Sequence, residues 1–193
     1  MNIKIIFAVL SSIVGISCFI PYILDIFKGK TKPHSYSWFI WTVLQTIGAI
    51  SMFSIGAGLG VISISIGAIL CGFVFILSLK YGTHNIKTFD VVCLVGSLIA
   101  IIFYFFLHSP ILSILIITLV DFVGFLPTMR KAYEEPQTET ISSYALSSFS
   151  SILALFAFSV FTFSNSIYLI SLIITNATCA GIIFIRKMIL KQN

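Results

Sequence analysis

The sequence has little charge: only 9% of its 193 residues are Asp, Glu, Lys or Arg, whereas 59% are hydrophobic and the mean hydropathy is +1.12. A soluble domain carries roughly 25% charged residues. The composition therefore excludes an ordinary soluble protein and predicts an integral membrane protein surrounded by a lipid bilayer. The net charge of +5 then describes membrane topology rather than affinity for nucleic acid, and we expect no nucleic-acid partner.

The motifs of several enzyme classes are also missing. The sequence has no HExxH metalloprotease motif, no GxSxG nucleophile motif and no cluster of histidines inside an apolar run. The last apolar run has no central lysine on which a retinal Schiff base could form. The cysteines stand singly inside apolar runs without CxxC spacing, which favours a packing role over a disulfide or a metal site; they are Cys18, Cys71, Cys93 and Cys179. We predict that the protein is not an enzyme and holds no cofactor or metal.

Long uncharged stretches dominate the rest of the chain. They cover residues 5–24, 33–79, 91–129 with Asp121 as the one charge, and 140–185. Since one span needs about 20 residues, the three longer stretches each hold two helices, divided at GAGLG (56–60), LHSP (107–110) and SNS (164–166). The apolar residues do not alternate, which excludes a strand pattern. We predict seven transmembrane helices over residues 4–27, 36–55, 60–80, 88–107, 110–129, 141–163 and 167–186.

The basic residues fix the orientation that we expect. Ten of the eleven lie on one side of this seven-helix arrangement, and Lys4 lies on the other. Positive residues mark the cytoplasmic side, so the N-terminus should face outward and the C-terminus the cytoplasm. We expect a multi-pass protein of the cell (inner) membrane.

An internal repeat links the two ends of the chain. At an offset of 106 residues, Pro21 aligns with Pro127 and Trp38 with Tyr144. The third helix of each half aligns better at an offset of 109, where Gly72 falls on Gly181. Helices 1–3 and 5–7 are thus predicted to be parallel repeats joined by helix 4 (3+1+3). The units are residues 1–82, a linker at 83–108 and residues 109–193. Transporters often bind their solute between such repeats, near the bilayer midplane.

This pattern resembles the SWEET and PQ-loop clan of membrane transporters. The resemblance rests on the 3+1+3 helices, the outward N-terminus, and a proline near the cytoplasmic end of the first helix in each triplet. The chain resembles a divergent member, because Pro21-Tyr22 and Pro127-Thr128 stand where the clan's name-giving motif is Pro-Gln. The resemblance implies an all-α membrane fold and solute transport. It also implies a pocket role for Asn176, which matches an asparagine in the seventh helix of SWEET-like transporters by depth.

Both prolines interrupt apolar helices about one turn from the predicted cytoplasmic ends. A proline inside a helix removes a backbone hydrogen bond and kinks the helix or makes a hinge. Two interpretations of Pro21 and Pro127 remain open: hinges for an inner gate, or static kinks for packing.

Asp121 is the sharpest single feature, since it lies halfway along helix 5 with no intramembrane Lys or Arg to pair with it. Intramembrane carboxylates are rare and usually mark ion, proton or substrate paths. The alternative is a protonated Asp that bridges neighbouring helices by hydrogen bonds.

Polar side chains on helices 2 and 6 form matched stripes that either line a solute path or serve packing. With Asn176 and Asp121 they complete the candidate set, which includes Trp41, Thr42, Gln45, Thr118, Ser148 and Ser151.

The leading hypothesis is a secondary transporter of a small polar solute (a sugar, vitamin or amino-acid-like molecule) that works by alternating access. Protons are the candidate coupling ion, through Asp121. The alternative is a sorting receptor or signalling protein on the same fold, which would bind a partner through the loop 130–140 with Glu134, Glu135 and Glu139. The three histidines are expected to face solvent. The sequence names neither the solute nor the oligomeric state, and a homo-oligomer stays open.

Overall fold

The computed structural model describes residues 3–54, 60–107, 109–158 and 161–192. Within these residues the chain forms α-helices, one short 3-10 turn at Pro136–Thr138 and no strand. The helices are α1 Ile3–Ser17, α2 Phe19–Phe27, α3 Ser35–Ser54, α4 Gly60–Tyr81, α5 Thr88–Tyr104, α6 Pro110–Glu134, α7 Ile141–Ala157 and α8 Phe163–Gln192. Because α1 and α2 form one interrupted segment, the described part contains the seven helical segments that the sequence predicts.

Among the described residues, four segments are long and apolar enough to cross a membrane: Ile3–Phe27, Ile64–Tyr81, Ile111–Glu134 and Ser166–Lys191. Large apolar side chains cover much of the outside, and Ile13, Ile69 and Phe156 are each more than half exposed. An apolar exterior of this extent suits lipid better than water. The prediction of an all-helical membrane protein is confirmed at this level.

The ends of the helices differ from the predicted ends in three places. The predicted turn at 164–166 is wrong: α7 ends at Ala157 and α8 already begins at Phe163, so the connection falls at residues 158–162. Serine and asparagine are as common at helix starts as in turns, so the SNS triplet alone could not distinguish the two. α6 and α8 also run past their predicted ends into charged residues. The predicted turn at 56–60 lies almost wholly outside the described residues.

The two prolines have different effects on their helices. The interruption between α1 and α2 falls at Cys18, three residues before Pro21. Proline has no N–H, so the carbonyl of Ser17 loses its partner one turn later, and the helix breaks there. α6 continues through Pro127 without a break. The helix is therefore interrupted before the first proline, although Cys18 keeps helical dihedral angles (φ −63°, ψ −24°), while α6 continues through the second proline.

The helices pack in a pattern that crosses between the two ends of the chain. α3 packs against α4, and α7 against α8, as neighbours in sequence. α1 packs chiefly against α7, and α3 also packs against α6. As a result, helices from the first and second halves meet along two interfaces in the middle of the bundle.

The loops 28–34, 82–87 and 135–140 gather at one end of the bundle, which we call the polar end. The backbone N–H of Lys32 donates to the carbonyl of Thr138 at 3.1 Å, and that of Thr83 donates to the carbonyl of Pro33 at 3.1 Å. These bonds hold three connections together that are far apart in sequence. The three joined loops lie below the main cavity of the bundle.

Candidate functional site

A cavity of about 210 Å³ lies among α1, α2, α3, α4, α6, α7 and α8. Five of the predicted site residues line it: Trp41, Gln45, Asp121, Ser151 and Asn176. They come from α3, α6, α7 and α8, so residues 135 positions apart in the chain face one space. These five residues, which the sequence analysis named as candidates, thus lie around one cavity.

The other three predicted residues do not line this cavity. The hydroxyls of Thr42 and Thr118 each donate at 2.7 Å to the carbonyl four residues earlier in their own helix. Ser148 on α7 donates to the carbonyl of Ile173 on α8 at 3.1 Å. These bonds tie helices or satisfy hydroxyls in an apolar setting, so the three side chains have packing contacts here.

Aromatic rings form one wall of the cavity. The ring centroids of Trp41 and Phe125 are 4.6 Å apart, those of Trp38 and Trp41 are 5.0 Å apart and perpendicular, and those of Tyr22 and Trp38 are 4.9 Å apart. Tyr144 meets Tyr22 edge-on at 6.2 Å. Trp38 Nε1 donates to the hydroxyl of Tyr22 at 3.2 Å, which fixes the orientation of both rings. Such edge-to-face and tilted pairs make a rigid wall.

Most hydroxyl and amide groups around the cavity already have partners within the protein. Ser147 donates to the sulfur of Cys18 at 3.2 Å, and Ser150 donates to the carbonyl of Ser11 at 2.8 Å. The amide nitrogen of Asn176 donates to a carbonyl of its own helix at 2.9 Å. These bonds already use the donors of the three side chains within the protein.

Three buried polar atoms of the lining have no hydrogen-bond partner within the described chain, and two of them are Asp121 Oδ2 and Trp41 Nε1. Ser143 Oγ, on α7, is the third. A buried polar group without a partner costs stability. Groups of this kind lining one cavity mark it as a place where a ligand or water completes the bonding.

Asp121 is the one charged residue among the described side chains that line the cavity. Its side chain is buried, with 3% of the residue exposed. Its matched position in the first half is Gly15, which also lines the cavity and faces Ser150. The cavity therefore carries one acidic group on the α6 side and none on the α1 side.

Below the cavity, Lys131, Glu139 and Tyr144 form what we call the polar plug. The hydroxyl of Tyr144 donates to Glu139 Oε2 at 3.0 Å, and Lys131 Nζ donates to Glu139 Oε1 at 2.8 Å. Lys131 Nζ also donates to the carbonyls of Lys32 and Thr138. Both charged side chains are fully buried. The expectation that Glu139 is available to bind a partner is wrong, because its carboxylate is consumed by this plug.

A second ionic group at the polar end joins α5 to α6. Arg130 donates to both oxygens of Asp90, at 2.9 and 2.6 Å, and His34 Nε2 lies 3.3 Å from Asp90 Oδ2. Loss of water around the buried ring lowers the pKa of His34 to about 4, which outweighs the attraction of a carboxylate already paired with Arg130. The expectation that His34 faces solvent is wrong. His84 is exposed as expected, and His108 lies outside the described residues.

The lining residues that the sequence reasoning missed include Tyr22, Phe125, Ser143 and Tyr168. Phe125 lies one turn after Asp121 on the same helix face, so helical periodicity could have found it. Tyr22 follows the helix-breaking proline, and Ser143 stands at a matched position of the repeat. Tyr168 stands in an apolar run with no neighbouring signal.

All four cysteines are buried and free, as the packing interpretation requires. Residues 3–54, 60–107, 109–158 and 161–192 contain no group of three His, Cys, Asp or Glu side chains placed to hold a metal ion. The cavity offers a ligand the carboxylate of Asp121 and the rings of its aromatic wall.

No family model matches the chain, and the comparisons with curated proteins and with solved structures gave no match.

Proposed function

We propose that the protein is a multi-pass secondary transporter that moves a small polar solute across the membrane by alternating access. The observation that carries this proposal is the cavity itself: a buried, partly polar space between helices of both halves, with an unpartnered carboxylate halfway along α6. Intramembrane acidic residues that face a cavity are characteristic of ion and substrate paths.

The helix contacts support the 3+1+3 arrangement within this proposal. If helices 1–3 and 5–7 are repeats, each contact between the halves should have a counterpart between the equivalent helices. The contact between the first helix (α1) and the sixth (α7) should therefore be matched by one between the fifth (α6) and the second (α3). Both contacts are present. α5, the proposed linker, contributes no residue to the cavity lining among the described side chains. This is the arrangement that the resemblance to the SWEET and PQ-loop clan implies.

Alternating access needs a gate on each side of the site, and the polar plug supports a closed gate at the polar end. The plug joins Tyr144 of the cavity wall to Glu139 and Lys131 below it. We assign the polar end to the cytoplasm because the basic residues gather there. Opening would separate the loops 28–34 and 135–140, with movement at the break before Pro21 and at Pro127.

Asp121 is proposed as the coupling group. Its carboxylate has no cationic partner among the side chains of the cavity, so it is free to bind a proton or a charged solute in one state of the cycle and release it in the other.

A test that does not depend on the solute is the labelling of a cavity cysteine from each side of the membrane. We would place Ser151→Cys in a chain whose four native cysteines are replaced by alanine, and treat oriented vesicles with the impermeant cationic thiol reagent MTSET. A transporter exposes this position to both faces in turn, so labelling from either face is expected. Lys30→Cys, at the polar end, is the control that should react from one face only.

Labelling of Ser151→Cys from a single face would overturn the transporter and favour a receptor with a one-sided cavity. For coupling, uptake of labelled solutes into proteoliposomes should depend on a pH gradient, and Asp121→Asn should abolish that dependence. Phe122→Leu, the neighbouring residue on the outer face of α6, is the matched control. Unchanged pH dependence in Asp121→Asn would contradict the coupling role.

A further inference from the structure

We propose that the solute of this cavity is a small organic cation, an amine or quaternary ammonium compound, whose charge pairs with Asp121 and packs on the rings of Trp41 and Phe125. This inference rests on the proposed function, because it names the class of solute that the same cavity binds.

The charge of the cavity is the first reason. Asp121 is buried, its Oδ2 has no hydrogen-bond partner, and no Lys, Arg or His is among the described side chains that line the space. A buried carboxylate without a counter-ion is costly. A cationic ligand supplies the missing counter-ion, whereas an anionic ligand would face repulsion.

The aromatic wall is the second reason. Phe125 follows Asp121 by one helical turn, so the ring and the carboxylate share a face of α6. Trp41 packs on Phe125 at a centroid distance of 4.6 Å, and Trp38 meets Trp41 at 5.0 Å. The faces of such rings attract cations, and cages of aromatic rings recognise ammonium groups. A carboxylate beside an aromatic wall is the arrangement that an organic cation needs.

The polar atoms of the lining are the third reason, because several of them are already bonded within the protein. A sugar is held by many hydrogen bonds, and the hydroxyls of Ser147 and Ser150 and the amide of Asn176 are already donating to protein atoms. Trp41 Nε1 and Ser143 Oγ have no partner within the described chain, and the amide of Gln45 also lines the cavity, so a cationic ligand can place a further polar group here.

The volume sets the size of the ligand. About 210 Å³ equals the liquid volume of about seven water molecules, below the 300–1,000 Å³ typical of drug-sized ligands. A compact ammonium compound such as choline is of this scale. We therefore choose choline as the probe, and 3,3-dimethyl-1-butanol as its counterpart of the same shape without charge.

The protein carries its own reporter for this experiment. It has two tryptophans, Trp38 and Trp41, and both line the cavity. We would titrate purified protein in lipid nanodiscs and follow tryptophan fluorescence. Choline should give a saturable change, while 3,3-dimethyl-1-butanol, glucose and sodium chloride at matched concentration should give at least tenfold weaker responses.

Equal responses to choline and to its neutral counterpart would overturn the proposal, because the cavity would then select shape rather than charge. A saturable response to sodium chloride or to glucose alone would overturn it as well. This comparison uses the wild-type chain, so it stands even if a variant fails to fold.

The variant arm tests the named partner. Asp121→Asn keeps the size of the side chain and removes its charge, and it should weaken choline binding at least tenfold. Glu134→Gln, which removes the same charge at the exposed end of α6, should leave binding unchanged. Unchanged affinity in Asp121→Asn would overturn the pairing.

The failure of this inference and of the proposed function can be told apart. Choline binding together with one-sided labelling of Ser151→Cys would leave a cation receptor and remove the transporter. Two-sided labelling without a choline response would keep the transporter and remove the organic cation.

Discussion

Replacing Lys131 by methionine should strongly destabilise the protein, because it leaves a buried charge without its partner. Lys131 and Glu139 both have fully buried side chains, and their Nζ and Oε1 atoms are 2.8 Å apart. Lys131→Met keeps a long apolar stem but removes the ammonium group. The Glu139 carboxylate then retains only the hydroxyl of Tyr144 as a side-chain donor, and the carbonyl of Thr138 loses its lysine partner.

The size of the effect follows from the burial of the pair. Breaking a buried ion pair by removing one partner costs roughly 3–5 kcal/mol, whereas replacing both partners by neutral groups is often close to neutral. For a chain of this length, 1 kcal/mol corresponds to roughly 2–4 °C in melting temperature. We expect Lys131→Met to lower the melting temperature by about 10 °C, and the double variant Lys131→Met/Glu139→Gln to recover most of that loss.

The assay is thermal unfolding in detergent, followed by circular dichroism for the wild type, both variants and Lys30→Met. Lys30 is exposed at the same end of the bundle, so its replacement should shift the melting temperature by less than about 2 °C. A loss below about 1 kcal/mol in Lys131→Met would refute the reasoning. A double variant no more stable than the single one would do the same.

Two further perturbations follow from the structure. Stability should fall as the pH drops from about 6.5 to 4, because in that range the unfolded histidine binds a proton that buried His34, with its pKa lowered to about 4, does not; the whole window is worth up to about 3 kcal/mol. Melting curves of His34→Gln should lose this component, and an unchanged slope would show that another group causes it. Gly15→Ala would place a methyl group 2.9 Å from Ser150 Oγ and displace that hydroxyl from the carbonyl of Ser11, with an expected loss of about 1 kcal/mol. Gly96→Ala, with open space around it, should gain up to about 1 kcal/mol, and equal shifts in the two melting temperatures would contradict this account.

The helical segments could be predicted from the sequence because charge and apolar length are local properties. Each uncharged stretch of about 20 residues needs to hide its backbone from lipid, which only a helix does within a single segment. The position of the break near Pro21 could also be predicted, since proline removes a hydrogen bond in any setting. The connection before α8 could not, because serine and asparagine suit both turns and helix starts.

The burial of His34 and Glu139 could not be predicted, because it depends on partners brought together by folding. His34 is buried against Asp90, 56 residues later, and Asp90 is held by Arg130, a further 40 residues on. Glu139 resembles its exposed neighbour Glu134 in sequence. Glu139 is buried and Glu134 is exposed because of how α6 packs against the loop that follows it.

The residues that line the cavity could be predicted only in part, because local sequence signals mark some of them and tertiary packing decides the others. Asp121 and Asn176 stand out because polar groups at mid-membrane depth are costly, and both line the space. Thr118 was included with them, yet its hydroxyl bonds to its own helix. Tyr168 stands in an apolar run without a polar neighbour in the sequence. Its place in the cavity lining follows only from the packing of α8.

The crossed contacts of α1 with α7 and of α3 with α6 have a consequence for how the chain assembles. The surfaces that meet along the cavity are covered in each half by the other half. A half made alone would therefore expose these surfaces, with their serines and aromatic rings, to lipid. Two fragments cut within the α5 region and produced together should therefore find each other in the bilayer and restore the whole bundle, whereas either fragment by itself should be degraded. The contacts between the two halves thus make them one unit in folding.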